Sequence, residues 1–230
     1  VRRPLIEGLL PPGAAGAEAR TDAPDDTLRP EERAAVAGVS EGRRREFTTV
    51  RHCARRALTA LGHAAVPLVP DGRGVPGWPD GVVGSMTHCR GYRASVVAWR
   101  RDVPALGVDA EPGLPLRAGV LNRIARPEER ERLTLLAASH PQLDCWDRLL
   151  FSAKEAVFKA WFPDTRTELA FQDVRVTFDA ADRTFRATVL APGAPVVAGA
   201  AEGHGFSGRW LARDGVLVTV AHGLVTVAHG

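Results

Sequence analysis

Lysine is almost missing from this chain. Of 30 basic side chains only two are lysines, Lys154 and Lys159, and both fall in the stretch FSAKEAVFKAW at 151–161. Arginine is the default cation everywhere else, which makes the two retained lysines informative. Cysteine is scarce as well. Cys53, Cys89 and Cys145 are odd in number, widely spaced and form no C-x-x-C pair, which argues against a disulfide framework or zinc site, and buried reduced thiols are expected. No apolar run approaches the roughly 20 residues that span a bilayer, so no membrane partner is expected. The opening VRRPLIEGLLPPG is a poor secretory leader, which points to the cytoplasm. A net charge of +3 is too small to argue for nucleic acid by itself.

What is present reads as an α+β protein of two similar halves, 1–112 and 113–230. Residues 11–30 are rich in Pro, Ala, Asp and Gly and read as a loop, followed by a short helix over 29–39. A long helix is predicted over 41–62, with Phe47, Val50, Ala54, Leu58 and Leu61 at helical spacing and Gly62 as its stop. Arg44, Arg51 and Arg55 form a stripe beside that apolar face, which a solvated basic surface would also explain. A Pro/Gly-punctuated loop at 70–81 precedes strands at 82–88, 94–100 and 104–111. The second half offers helices at 127–138 and 144–162, the latter ended by Pro163. Two strand pairs follow, turning at Ala181–Arg183 and at Asp214–Gly215. The heptapeptide LVTVAHG occurs twice, at 217–223 and 224–230; one copy suffices as a closing strand. A cleft between two such halves is a common place for a ligand.

Three motifs carry chemistry. In GVDAE an extended backbone sends Asp109 and Glu111 to the same face. Adjacent carboxylates repel and call for a cation, and hard oxygens suit Mg²⁺ with a substrate phosphate as a further ligand; a solvated strand end is the plain alternative. In FSAKEAVFK, Glu155 and Lys159 lie four apart on one helix face. An exposed ion pair would explain that spacing, but arginine would serve such a pair equally well, whereas a compact ammonium suits a phosphate. Glu155 can add a third carboxylate to the metal begun by Asp109 and Glu111. In GSMTHC, Thr87 and His88 end a strand where a hydroxyl and an imidazole can meet phosphate oxygens, although a lone histidine is more often structural.

SMTH, GVDAE and FSAKEAVFK in this order resemble the 4′-phosphopantetheinyl transferases. The resemblance is to the larger monomeric type, like the surfactin-synthetase-activating enzyme and enterobactin synthase component D, which serves polyketide, nonribosomal peptide or siderophore assembly lines. RRREFTTVRHCARRAL (43–58) looks like the arginine-rich helix of that type. The resemblance implies a pseudo-dimeric α+β fold with coenzyme A in the cleft between the halves. It implies Mg²⁺-dependent transfer of the phosphopantetheine arm of coenzyme A to a serine of an apo acyl or peptidyl carrier protein, releasing adenosine 3′,5′-bisphosphate. Asp109, Glu111 and Glu155 would hold the metal, Glu155 would act as base, and Lys159 would stabilise the departing phosphate. Arg43, Arg51, Arg73, Thr87, His88, Asp109, Lys154 and Lys159 would bind coenzyme A. Phe151 stands where many members carry tryptophan, and Thr87 where serine is commoner. The helical stripe favours Arg44, Arg51 and Arg55 while the motif match favours Arg43 and Arg51, so only Arg51 satisfies both.

Two other classes compete. A basic nucleotide- or nucleic-acid-binding module would leave the carboxylates without a purpose, and no RNP, zinc-finger or helix-turn-helix signature is present. A different Mg²⁺-dependent phosphotransferase would need a Walker A or kinase loop, and neither is found.

Overall fold

Two antiparallel sheets organise the computed structural model, which describes residues 4–24, 27–191 and 204–223. The first contains β1 (Ala14–Ala19), β2 (Val82–Cys89) and β3 (Tyr92–Trp99) in the order β1-β3-β2. The second contains β4 (Leu106–Pro112), β5 (Val174–Asp179), β6 (Thr184–Val189), β7 (His204–Arg213) and β8 (Val216–Gly223) in the order β4-β8-β7-β6-β5. The long helix α1 (Glu41–Ala60) packs on β1 and β3. Its counterpart α4 (Trp146–Thr165) packs on β4 and β8, and the sheets meet where β2 faces β4. Two further helices, α2 (Val120–Ile124) and α3 (Pro127–Ser139), precede α4.

Periodicity explains most of this. The apolar face of α1 buries Phe47, Val50, Ala54 and Leu58, and Ser40 caps its start by accepting from the Arg43 N–H at 3.3 Å. On α4, Leu149, Leu150, Ala153, Ala156 and Val157 are all fully buried against Phe185, Leu217 and Ala221. Each such leucine contributes about 2 kcal/mol by leaving water. Asp214 (φ 56°) and Gly215 (φ 72°) make the left-handed two-residue turn that the sequence predicts between β7 and β8. The first LVTVAHG copy supplies β8 from its second residue; the second copy, 224–230, lies outside the described residues.

Several expectations are corrected. Residues 14–19 are not loop but β1, paired antiparallel with β3; Ala and Gly have little strand propensity of their own, and β3 supplies the partner. Glu18 of β1 fastens the chain start, its Oε2 accepting from Leu5 N, Ile6 N and the Tyr92 hydroxyl at 2.8–2.9 Å. The expected helix at 29–39 is a shorter 3₁₀ segment, Pro30–Val36. α4 does not stop at Pro163. Pro163 forfeits the one bond its N–H would make to the preceding turn, but the donors after it continue the helix, Arg166 N bonding Phe162 O at 2.9 Å, so α4 runs to Thr165 and ends on Arg166 in the left-handed conformation. Cys53 and Cys145 are buried and Cys89 half-buried, and burial pushes all three thiols up to about 11, which keeps them protonated. The strand expected at 104–111 is β4, and its partner is β8 from the end of the chain's described residues.

One glycine decides how closely β4 approaches α4. A Cβ on Gly107 would stand 1.9 Å from the Ala156 carbonyl oxygen, so only glycine permits this contact, and Ala156 and Ala160 keep the facing helix flat.

Candidate active site

Gly107, Asp109 and Glu111 alternate along β4 and therefore face α4 together. α4 answers with Arg148, Glu155 and Lys159, spaced seven and four apart on one side of the helix. Lys159 Nζ meets Asp109 Oδ1 at 2.6 Å, and Arg148 donates to Glu111 Oε2 at 2.8 Å. From β2, the Thr87 hydroxyl lies 3.4 Å from the same Asp109 oxygen and accepts from Ala110 N at 2.9 Å, which ties β2 to β4 at the site. Asp109 is 5% exposed, and its second oxygen, Oδ2, is buried without a hydrogen-bond partner.

Glu155 lies within range of the charges of Asp109, Glu111 and Lys159. Burial raises its pKa above the usual carboxylate range, and the charges of Asp109 and Glu111 add to the rise while Lys159 opposes it. Glu111 is likewise raised by burial and by Asp109, against the Arg148 hydrogen bond. Three hard carboxylates that repel one another, one with an orphaned buried oxygen, are the donor chemistry a divalent cation satisfies. The geometry is less complete than the chemistry. Among the described residues no three acidic, histidine or cysteine side chains stand close enough to hold a metal, and Lys159 and Arg148 each engage a carboxylate.

Beside this cluster opens a cavity of about 660 Å³ between the two halves. Seven of the eight side chains assigned to coenzyme A from the sequence line it: Arg43, Arg51, Arg73, Thr87, His88, Asp109 and Lys159. Phe47, Phe158 and Phe162 give it apolar walls. Arg51 lies 3.2 Å above the Phe47 ring and donates through Nε to the Leu68 carbonyl at 2.9 Å; burial pulls its pKa down to about 10. Arg43 meets His88 Nε2 at 2.6 Å. Arg73 is committed to the other half, donating to Arg166 O and Glu168 at 2.8 Å each and lying over Phe162. Glu155 lines an adjoining recess of about 150 Å³ with Phe158, Leu169 and Phe171.

The eighth assignment is corrected. Lys154 is buried, with Nζ donating to Ile124 O, Glu129 Oε2 and Phe171 O at 2.7–2.8 Å, so none of its three protons is left for a nucleotide. Burial lowers its pKa, and the Glu129 hydrogen bond opposes that. The arginine stripe is no solvated face either. Only Arg44 of the three is exposed; Arg51 and Arg55 are buried, and Arg55 is spent on Glu32 at 2.8 Å and on the Thr27 carbonyl at 2.5 Å. Sequence reasoning missed Arg148 and Glu46. Arg148 sits seven residues before Glu155, a spacing that a helical wheel could have flagged; Glu46 enters only because the fold brings β2 beside α1.

Comparison with known proteins identifies the family. The family model of the 4′-phosphopantetheinyl transferase N-terminal domain matches residues 31–98, and that of the 4′-phosphopantetheinyl transferase superfamily matches 105–210. The chain is 53% identical to 4′-phosphopantetheinyl transferase Svp of Streptomyces mobaraensis over 94% of its own length and 87% of the relative's. It is 43% identical to 4′-phosphopantetheinyl transferase Npt of Nocardia iowensis over 94% of the chain and 98% of that protein. With enterobactin synthase component D of Salmonella typhimurium the identity is 30% over 83% of the chain and 77% of the relative. With two family models that together match most of the chain and relatives similar along nearly all of it, the protein belongs to the 4′-phosphopantetheinyl transferase superfamily.

Proposed function

We propose that the protein transfers the 4′-phosphopantetheine arm of coenzyme A to a serine of an apo acyl or peptidyl carrier protein. The observation that carries this reading is the meeting, at one cavity between the halves, of an arginine-lined wall with the Asp109–Lys159 pair and its neighbouring carboxylates. A nucleotide with a pyrophosphate and a 3′-phosphate needs both: cations for the phosphates and an oxygen-rich corner for a metal.

In this reading Arg43 and Arg51 grip the 3′-phosphate, and Thr87 and His88 contact phosphate oxygens. Arg73 acts by bracing the cavity wall. The serine oxygen attacks the phosphorus bearing the pantetheine arm, forming a new P–O bond as the bond to the adenosine-bearing phosphate breaks. Glu155, directly or through water, takes the serine proton. Lys159 turns from Asp109 toward the leaving phosphate and stabilises it, so adenosine 3′,5′-bisphosphate departs. Asp109, Glu111 and Glu155 would hold Mg²⁺, which supplies charge neutralisation at the pyrophosphate. Action as a cytoplasmic monomer, without nucleic acid, is part of the same reading.

The test is direct. Incubated with coenzyme A, Mg²⁺ and an apo carrier protein, the enzyme should add one phosphopantetheine arm to the carrier, read by intact-mass spectrometry. An unchanged mass across acyl and peptidyl carriers would overturn the proposal; salt-sensitive nucleic-acid binding in its place would favour the binding-module class.

A further inference from the structure

Glu46 lies on α1 between Arg43 and Phe47, two of the residues that line the cavity, and has no part in the reading above. Its Oε2 lies 3.4 Å from Arg43 Nη1 and 3.4 Å from His88 Nδ1, while Arg43 Nη1 meets His88 Nε2 at 2.6 Å. These distances fix the protonation of the ring. A guanidinium can only donate, so Nε2 must accept; His88 is neutral and its one proton sits on Nδ1, facing the Glu46 carboxylate. The other charges facing the ring are cationic, Lys159 from α4 and Arg93 from β3. Burial lowers the His88 pKa, Glu46 raises it, and Arg43, Lys159 and Arg93 lower it further.

We propose that Glu46 is a positioning residue for substrate phosphate: it keeps the His88 proton on Nδ1 and holds Arg43 against the ring. The claim rests on reading the cleft as a coenzyme A site. An arriving phosphate draws Arg43 away from Nε2. That nitrogen can donate to the phosphate only after taking a proton from solvent, and the Nδ1–H facing a carboxylate is the arrangement that stabilises the resulting imidazolium. Glu46 thus serves both states, first setting the tautomer and then balancing the charge. As a helix-surface pair with Arg43, three residues away and 30% exposed, Glu46 contributes little to stability, so its variants fold.

Two measurements test this. In ¹⁵N-histidine NMR of the free protein, with His88 assigned by a His88→Gln spectrum, the wild type should carry the proton on Nδ1. Glu46→Gln, which keeps an acceptor, should retain that tautomer, and Glu46→Ala should move the proton to Nε2 or mix the two. In steady-state transfer, Glu46→Ala should raise KM for coenzyme A about tenfold, the worth of one charge-assisted contact, with kcat within about twofold. Glu46→Gln should fall between. A proton on Nε2 in the wild type, an unchanged tautomer in Glu46→Ala, or an unchanged KM would overturn the proposal. Wild-type protein inert toward coenzyme A would instead sink the transferase reading, while the NMR pair still decides the role of Glu46.

Discussion

The two lysines do different work, and each needs lysine for its own reason. Lys154 offers three tetrahedral protons to three buried acceptors, a set that a planar five-donor guanidinium does not fit. Lys159 presents a compact charge at the edge of the cavity, 29% exposed, on Asp109. Lys154→Met leaves Glu129 charged and unpaired, so it should cost about 3–5 kcal/mol in urea unfolding. Lys159→Met leaves the buried Asp109 carboxylate with the Thr87 hydroxyl alone, so it should cost about 1–2 kcal/mol, less than Lys154→Met, while lowering kcat at least about 100-fold. Equal losses of stability in the two would contradict this division. Glu155 behaves in the opposite sense. Its folded pKa is raised, so its stabilising contribution is whole at low pH, below the unfolded value, and is lost as pH rises through the folded value. Without metal at pH 7, Glu155→Gln should therefore raise Tm by about 2–4 °C in a melting experiment, with the difference closing toward about pH 4, and should abolish transfer. A lower Tm at pH 7 would show that the glutamate is not repelled by its neighbours.

The pairing of β4 with α4 is the element on which the site depends. Gly107 lets the strand touch the helix backbone, and the strand's two-residue period then aims Asp109 and Glu111 at the helix face carrying Arg148, Glu155 and Lys159. Gly107→Ala must push the two apart, so it should lower stability by about 1–3 kcal/mol and reduce transfer well beyond what the lost folded fraction explains. Urea midpoints measured alongside kcat separate the two effects, and native-like values of both would refute the close approach. The same element marks the limit of what the sequence tells. α1, the β2–β3–β4 run and α4 were legible because their apolar periodicity is strong. β1 was not, since Ala14–Ala19 has no strand signature apart from the partner that pairs with it. Lys154 was misassigned for a related reason: its neighbours Glu129, Ile124 and Phe171 come from other segments, and motif spacing cannot tell which face of a helix they cover.

Across the whole molecule the cavity lies where the halves meet, and ion pairs brace that seam. Arg100 grips Asp164 with two hydrogen bonds of 2.7 and 2.9 Å, Arg166 pairs with Asp71, and Arg73 reaches Glu168 at 2.8 Å, all between the first-half loops and the end of α4. The cavity is therefore walled from both sides before any ligand arrives. The central claim is that Asp109, Glu111 and Glu155 jointly bind one divalent ion at that seam. Electron paramagnetic resonance of Mn²⁺ titrated into the protein with coenzyme A present tests it without relying on turnover. One ion per chain should bind in the wild type and be lost in both Asp109→Ala and Glu155→Gln; undiminished binding in either variant would contradict the claim.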